Sequence, residues 1–165
     1  MPPAFSSRED QDLVRRYDAG LDVVTTAIES LSESQWDQRL GDGWSARMVI
    51  HHLADSETNS YLRLRRLVAE PAPTVIQGYD EELWSQCEAL GYATLPVGPS
   101  LEVFRAVRMA SSLVLGRLSD ADLDREGVHT QSGPYTIRDW LTIYAAHAED
   151  HAQQITRATR VEPRG

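Results

Sequence analysis

Four stretches of this chain repeat apolar residues at every third or fourth position, while strand-type alternation is scarce. That spacing is the period of an α-helix, so each stretch carries a stripe that must be buried against another helix. The first runs from about Glu9 to Leu31, with Leu13, Tyr17, Leu21, Val24, Ile28 and Leu31 in line. The second runs from about Ala46 to Ala69. Ser45 is placed to cap it, Trp44 to pack on Val49, and Pro71 and Pro73 to stop it. The third spans about Leu101 to Leu118, with Ser100 as its expected N-cap and Phe104, Val107, Val114 and Leu118 as its core line. The fourth spans about Ile137 to Arg157 and opens on Thr136, with Asp139 three residues later to complete a capping box. The expected fold is all-α, a four-helix bundle with a long connection between helices 2 and 3. That connection holds a short helix around Asp80–Leu90 and implies that some neighbouring helices are not simple up-and-down partners. Gly127 to Tyr135 reads as a turn or a short extended stretch.

The 165 residues suit one domain, with a core from about residue 9 to 158 and no dividing linker. The ends, about residues 1–7 and 160–165, read as frayed. No apolar run approaches a membrane span. A formal net charge of −9 opposes contact with nucleic-acid phosphates and anionic lipid, so neither is expected as a partner. The start of the chain lacks a basic segment followed by an apolar one, and Cys87 is the lone cysteine. A cytoplasmic location is therefore the default, and Cys87 reads as a small core hydrophobe.

His147 and His151 lie four residues apart on the face that carries Ile137, Trp140, Tyr144, Ile155 and Ala158. They point inward, one turn apart, and a metal ion is one partner that satisfies two buried imidazoles together. A third imidazole is available in His51-His52. The apolar face of the second helix centres on Val49, Leu53, Ser60, Leu64 and Leu67. His52 lies on the edge of that face; His51 lies nearly opposite and is expected in solvent. The line of His52 continues through Ser56, Asn59 and Arg63, which reads as a pocket wall with Arg63 facing an anionic group. Three imidazoles suit Zn²⁺ or Ni²⁺ and leave a position for water or substrate. Asp55 and Asp150 are candidates to orient a ligand imidazole, while Glu149 points to solvent. Zincin spacing does not fit, because Ala148 stands where a glutamate is required.

The stretch Trp44-Ser-Ala-Arg-Met-Val-Ile-His-His52-Leu-Ala-Asp-Ser-Glu57-Thr-Asn-Ser-Tyr-Leu-Arg63 resembles the second-helix signature of the DinB superfamily, especially its YfiT-like branch. Gly78-Tyr-Asp-Glu-Glu-Leu-Trp84 resembles that branch's following motif, and Tyr144-Ala-Ala-His147-Ala-Glu-Asp-His151-Ala-Gln-Gln-Ile155 its last-helix pattern. The resemblance runs from about residue 10 to 158. It implies a bundle that binds a divalent metal through His52, His147 and His151, often as a homodimer. It also implies a metal-dependent hydrolase or a transferase that uses low-molecular-weight thiols. The chain departs from the pattern at Glu57, and at Ala148, Glu149 and Asp150, where further histidines are common.

The leading expectation is activation of a low-molecular-weight thiol for S-transfer to a small electrophile. The alternatives are hydrolysis by a metal-activated water, and a non-enzymatic metal- or small-ligand-binding stress protein. Asp55 and Glu57 are the candidate proton-transfer groups. Ser56, Asn59, Arg63, Tyr79 and Trp84 are the candidate substrate contacts.

Overall fold

The Ser45 hydroxyl accepts from the Met48 amide at 3.4 Å and so starts α2 (Ala46–Ala69) where the sequence places it. Trp44 packs in the same apolar cluster as Val49. The computed structural model describes residues 5–29, 31–39 and 43–159. Besides α2 it contains α1 (Arg8–Glu29), β1 (Thr74–Ile76), α3 (Glu81–Gln86), α4 (Gly98–Leu115), α5 (Asp120–Leu123), β2 (Glu126–His129), β3 (Gly133–Thr136) and α6 (Ile137–Thr159). Thr136 and Asp139 form the expected reciprocal cap on α6: the Thr136 amide donates to Asp139 Oδ2 at 2.8 Å and the Asp139 amide to Thr136 Oγ1 at 3.1 Å. Among the described residues, no helix is long and apolar enough to cross a membrane.

The four long helices form the bundle. Helix α1 packs on α4 and α6, and α2 packs on the same two. Helices α1 and α2 therefore face each other across a diagonal, so the first connection does not join neighbours. A three-stranded sheet closes one side, with β1 parallel to β2 and β2 antiparallel to β3. Gly133, at φ 83°, opens β3 in a left-handed conformation that favours glycine.

The bundle core is two apolar clusters with a polar layer between them. One cluster holds Tyr17, Leu64, Leu115, Trp140 and Tyr144; the other holds Val24, Val49, Leu53, Phe104 and Ile155. Between them, Arg108 of α4 pairs with Glu57 of α2, and both side chains are almost wholly buried. Arg108 also donates to the main-chain oxygens of Tyr17 on α1 and Tyr144 on α6. One guanidinium thus touches all four long helices. Burial pushes the Glu57 carboxyl up, while Arg108 and then Tyr17 work against that shift. Gly20 leaves the room this requires, because a Cβ there would stand 2.5 Å from Arg108 Nη2.

Several expectations are corrected. Helix α4 begins at Gly98, so Ser100 lies inside its first turn instead of capping it. His51 is buried, not solvated, since α2 packs on both α4 and α6 and the Leu95–Ser100 segment covers its remaining face. Cys87 is exposed at the end of α3, because that helix is too short and too peripheral to bury it. Glu149 is not free in solvent but pairs with Arg16 of α1 at 2.7 Å. Phe5 is buried and the Ser6 amide donates to Asp120, so the segment before α1 is docked from residue 5; residues 1–4 and 160–165 lie outside the described residues, as does Ser30 at the end of the first helical pattern.

Candidate metal centre

Helices α2 and α6 bring three imidazoles together. His52, His147 and His151 each offer one ring nitrogen, and the three nitrogens lie within 4.8 Å of one another. His52 Nε2 and His147 Nε2 are 3.2 Å apart. Two ligand nitrogens on a tetrahedral zinc ion stand roughly 3.3 Å apart, given Zn–N bonds of about 2.0–2.1 Å. The spacing and the all-nitrogen donor set therefore fit a borderline divalent ion.

Electrostatics agree with neutral ligands. Burial lowers the His52 pKa to about 3, with the nearby His151 adding to the shift. Burial also depresses His147 strongly and His151 to a lesser extent. Neutral imidazole is the form that coordinates metal. The outer edges of the rings differ. His151 Nδ1 is held by Gln154 Oε1 at 2.8 Å, a partner one turn further along α6. His52 Nδ1 and His147 Nδ1 are buried with no hydrogen-bond partner among the described residues. Trp44 lies against the cluster, nearly parallel to the His151 ring and 4.7 Å from the His52 ring centroid.

A cavity of about 500 Å³ opens beside His147. Ser56, Arg63, Tyr79 and Tyr144 line it, as do Asp80, Glu81, Glu82 and His129. The predicted contacts Ser56, Arg63 and Tyr79 thus meet in one place. Arg63 donates to the Tyr144 hydroxyl at 2.9 Å and to the Gln77 carbonyl at 3.1 Å. Trp84 stands behind Tyr79, with ring centroids 4.7 Å apart, and is not part of the lining. Asn59 is not in the wall either, because its amide turns back to the Asp55 carbonyl on its own helix.

The predicted carboxylates lie elsewhere. Asp55 accepts from the Tyr92 hydroxyl at 2.6 Å, in a separate cavity of about 280 Å³ shared with His51 and Ser100. It does not orient His52, whose Nδ1 has no partner. Glu57 is committed to Arg108 and Tyr17 in the core. The carboxylate that does approach the histidines is Glu81, whose Oε2 is 3.8 Å from His52 Nε2 on a largely exposed side chain. Glu81 opens α3 behind the Asp80 cap, which accepts from the Leu83 amide. It stands within the Gly78–Trp84 motif, but nothing local shows that this short helix folds back over α2. His129 escapes sequence reasoning for a similar reason: it reaches the cavity only once β2 pairs with β1.

The fold and this site have counterparts. Residues 16–155 match the model of the DinB superfamily. A protein of Oceanobacillus iheyensis named "Putative metal-dependent hydrolase" is 40% identical over 135 residues, covering 81% of this chain and 76% of its own. One from Bacillus mycoides with the same name is 36% identical over 135 residues, at 81% and 75% coverage. Among solved structures, YfiT from Bacillus subtilis is described as a probable metal-dependent hydrolase with an unusual four-helix bundle topology. It superposes with a TM-score of 0.84 over 97% of this chain and 91% of that one, at 28% identity. A family match over most of the folded residues, with relatives this similar across most of their length, places the chain in its family: it belongs to the DinB superfamily.

Proposed function

We propose that the chain is a metal-dependent hydrolase of small molecules, with His52, His147 and His151 as ligands of Zn²⁺ or Ni²⁺. The convergence of three neutral imidazoles, His52 buried and His147 and His151 half-buried, beside a cavity carries this reading. When bound, the metal supplies a Lewis acid that polarises a substrate oxygen and acidifies water. Glu81 is the proton carrier: among the described residues it is the acid nearest the histidines, and its exposure lets it swing. Ser56, Arg63 and Tyr79 hold the substrate. Asp55 and Glu57 are set aside as proton carriers, since each is held by other partners.

Thiol transfer is the second reading, and one observation favours it. A further cavity of about 310 Å³, lined by Trp44, Met48, Ser85 and Gln86, shares Glu81 and Glu82 with the first. Two cavities that meet at a pair of carboxylates offer separate seats for a thiol and an electrophile. The cytoplasm, the location expected for a lone thiol such as Cys87, would supply such a thiol.

The variant Glu81→Gln should lower kcat by about 10²–10⁴-fold on an acyl-ester panel, with or without added thiol, while metal content holds. An unchanged kcat removes Glu81 from the chemistry. Turnover that depends wholly on added thiol replaces hydrolysis by transfer. The homodimer expected from the family is also a proposal, and sedimentation equilibrium at the monomer mass would remove it.

A further inference from the structure

We propose that His129 and Arg63 form a carboxylate subsite, so that the natural substrate is a small molecule with one carboxylate a few bonds from its reacting centre. The proposal rests on the metal-site reading for the position of that centre, and on the hairpin for the rest.

His129 ends β2, and the turn that follows fixes its tautomer. The amides of Gln131 and Ser132 both approach His129 Nδ1 at 3.3 Å. Two N–H donors on one nitrogen make Nδ1 the acceptor, so the proton sits on Nε2. Nε2 makes no hydrogen bond among the described residues, and the ring lines the cavity. A neutral histidine locked in this way presents one fixed N–H to whatever enters. Burial and the neighbouring Arg63 charge both keep the ring neutral.

Arg63 lines the same cavity. Its Nη atoms donate to Tyr144 and Gln77, which fixes the plane of the guanidinium. A positive guanidinium beside a fixed N–H is a receptor for a carboxylate. The rim carries Asp80, Glu81 and Glu82, and the whole chain is acidic. A singly charged carboxylate meets less repulsion there than a doubly charged phosphate. The span is short: Arg63 touches the Tyr144 hydroxyl, and the Tyr144 and His147 rings are 5.8 Å apart.

The probes are mercaptopropionate and mercaptobutyrate, each compared with its neutral carboxamide, on cobalt(II)-loaded protein. The thiolate–cobalt absorption band reports Kd. One acid should bind about ten-fold or more tightly than its amide, the worth of one charge-assisted hydrogen bond. The variant His129→Asn keeps an acceptor for the turn amides but lacks the Nε2–H, so it should lose that preference while binding the amide as before. Equal Kd values for acid and amide in the parent overturn the subsite, and so does a preference that survives in both His129→Asn and Arg63→Met. A second measurement does not need the metal. In metal-free protein, the His129 Nε2–H nuclear magnetic resonance signal should shift saturably with mercaptopropionate and not with its amide. If cobalt gives no band but this shift occurs, the metal reading fails and the subsite stands. If the shift is absent, the subsite fails whatever the metal does.

Discussion

Truncating Glu57 to alanine should destabilise the fold by about 3–5 kcal/mol, the cost of leaving a buried charge without its partner. Arg108 would remain buried among Tyr17, Phe104 and Tyr144 without its carboxylate. The loss should appear in urea as a lower midpoint with an unchanged slope. A double variant, Glu57→Met with Arg108→Leu, should recover much of it, because a buried ion pair contributes little beyond what apolar groups of similar volume would. A Glu57→Ala midpoint equal to the parent's would mean that water reaches Arg108 and that the layer is not sealed. The layer also bears on function. Arg108 holds the Tyr144 carbonyl, one turn before His147, so a loosened layer loosens the histidine cluster.

How much of this is legible in the residues depends on the range of the contact involved. Helix periods and caps are local, so Ser45 and the Thr136–Asp139 pair can be placed from the amino-acid sequence alone. The choice of His52 over His51 as the candidate ligand follows from helix phase, and the structure brings His52 to His147 and His151. The same phase wrongly puts His51 in solvent, since it counts one packing partner for α2 where the bundle supplies two. Extending the line of His52 along α2 leads to Arg63, which lines the cavity. Asn59 lies on the same line yet turns back to its own helix, a local hydrogen bond that spacing does not register. The Arg108–Glu57 pair joins residues 51 apart in sequence, and nothing local marks Arg108 as buried. Glu81 and His129 depend on segments that fold back over the bundle, and no periodicity carries that information.

Metal content decides the histidine reading. Of the three proposed ligands, His147 lies within reach of both His52 and His151 and borders the cavity. Removing a direct ligand should weaken metal binding by more than the about 10–100-fold that loss of an outer partner typically costs. The helices should survive, since alanine suits the middle of α6. The measurement is elemental analysis of the parent, His147→Ala and His51→Ala proteins, each loaded with zinc or nickel, dialysed together and checked by circular dichroism. The parent and His51→Ala should retain about one equivalent of metal per chain and His147→Ala almost none, with the helical signal unchanged. A parent that holds no divalent metal, or a His147→Ala protein that holds as much as the parent, would contradict the assignment.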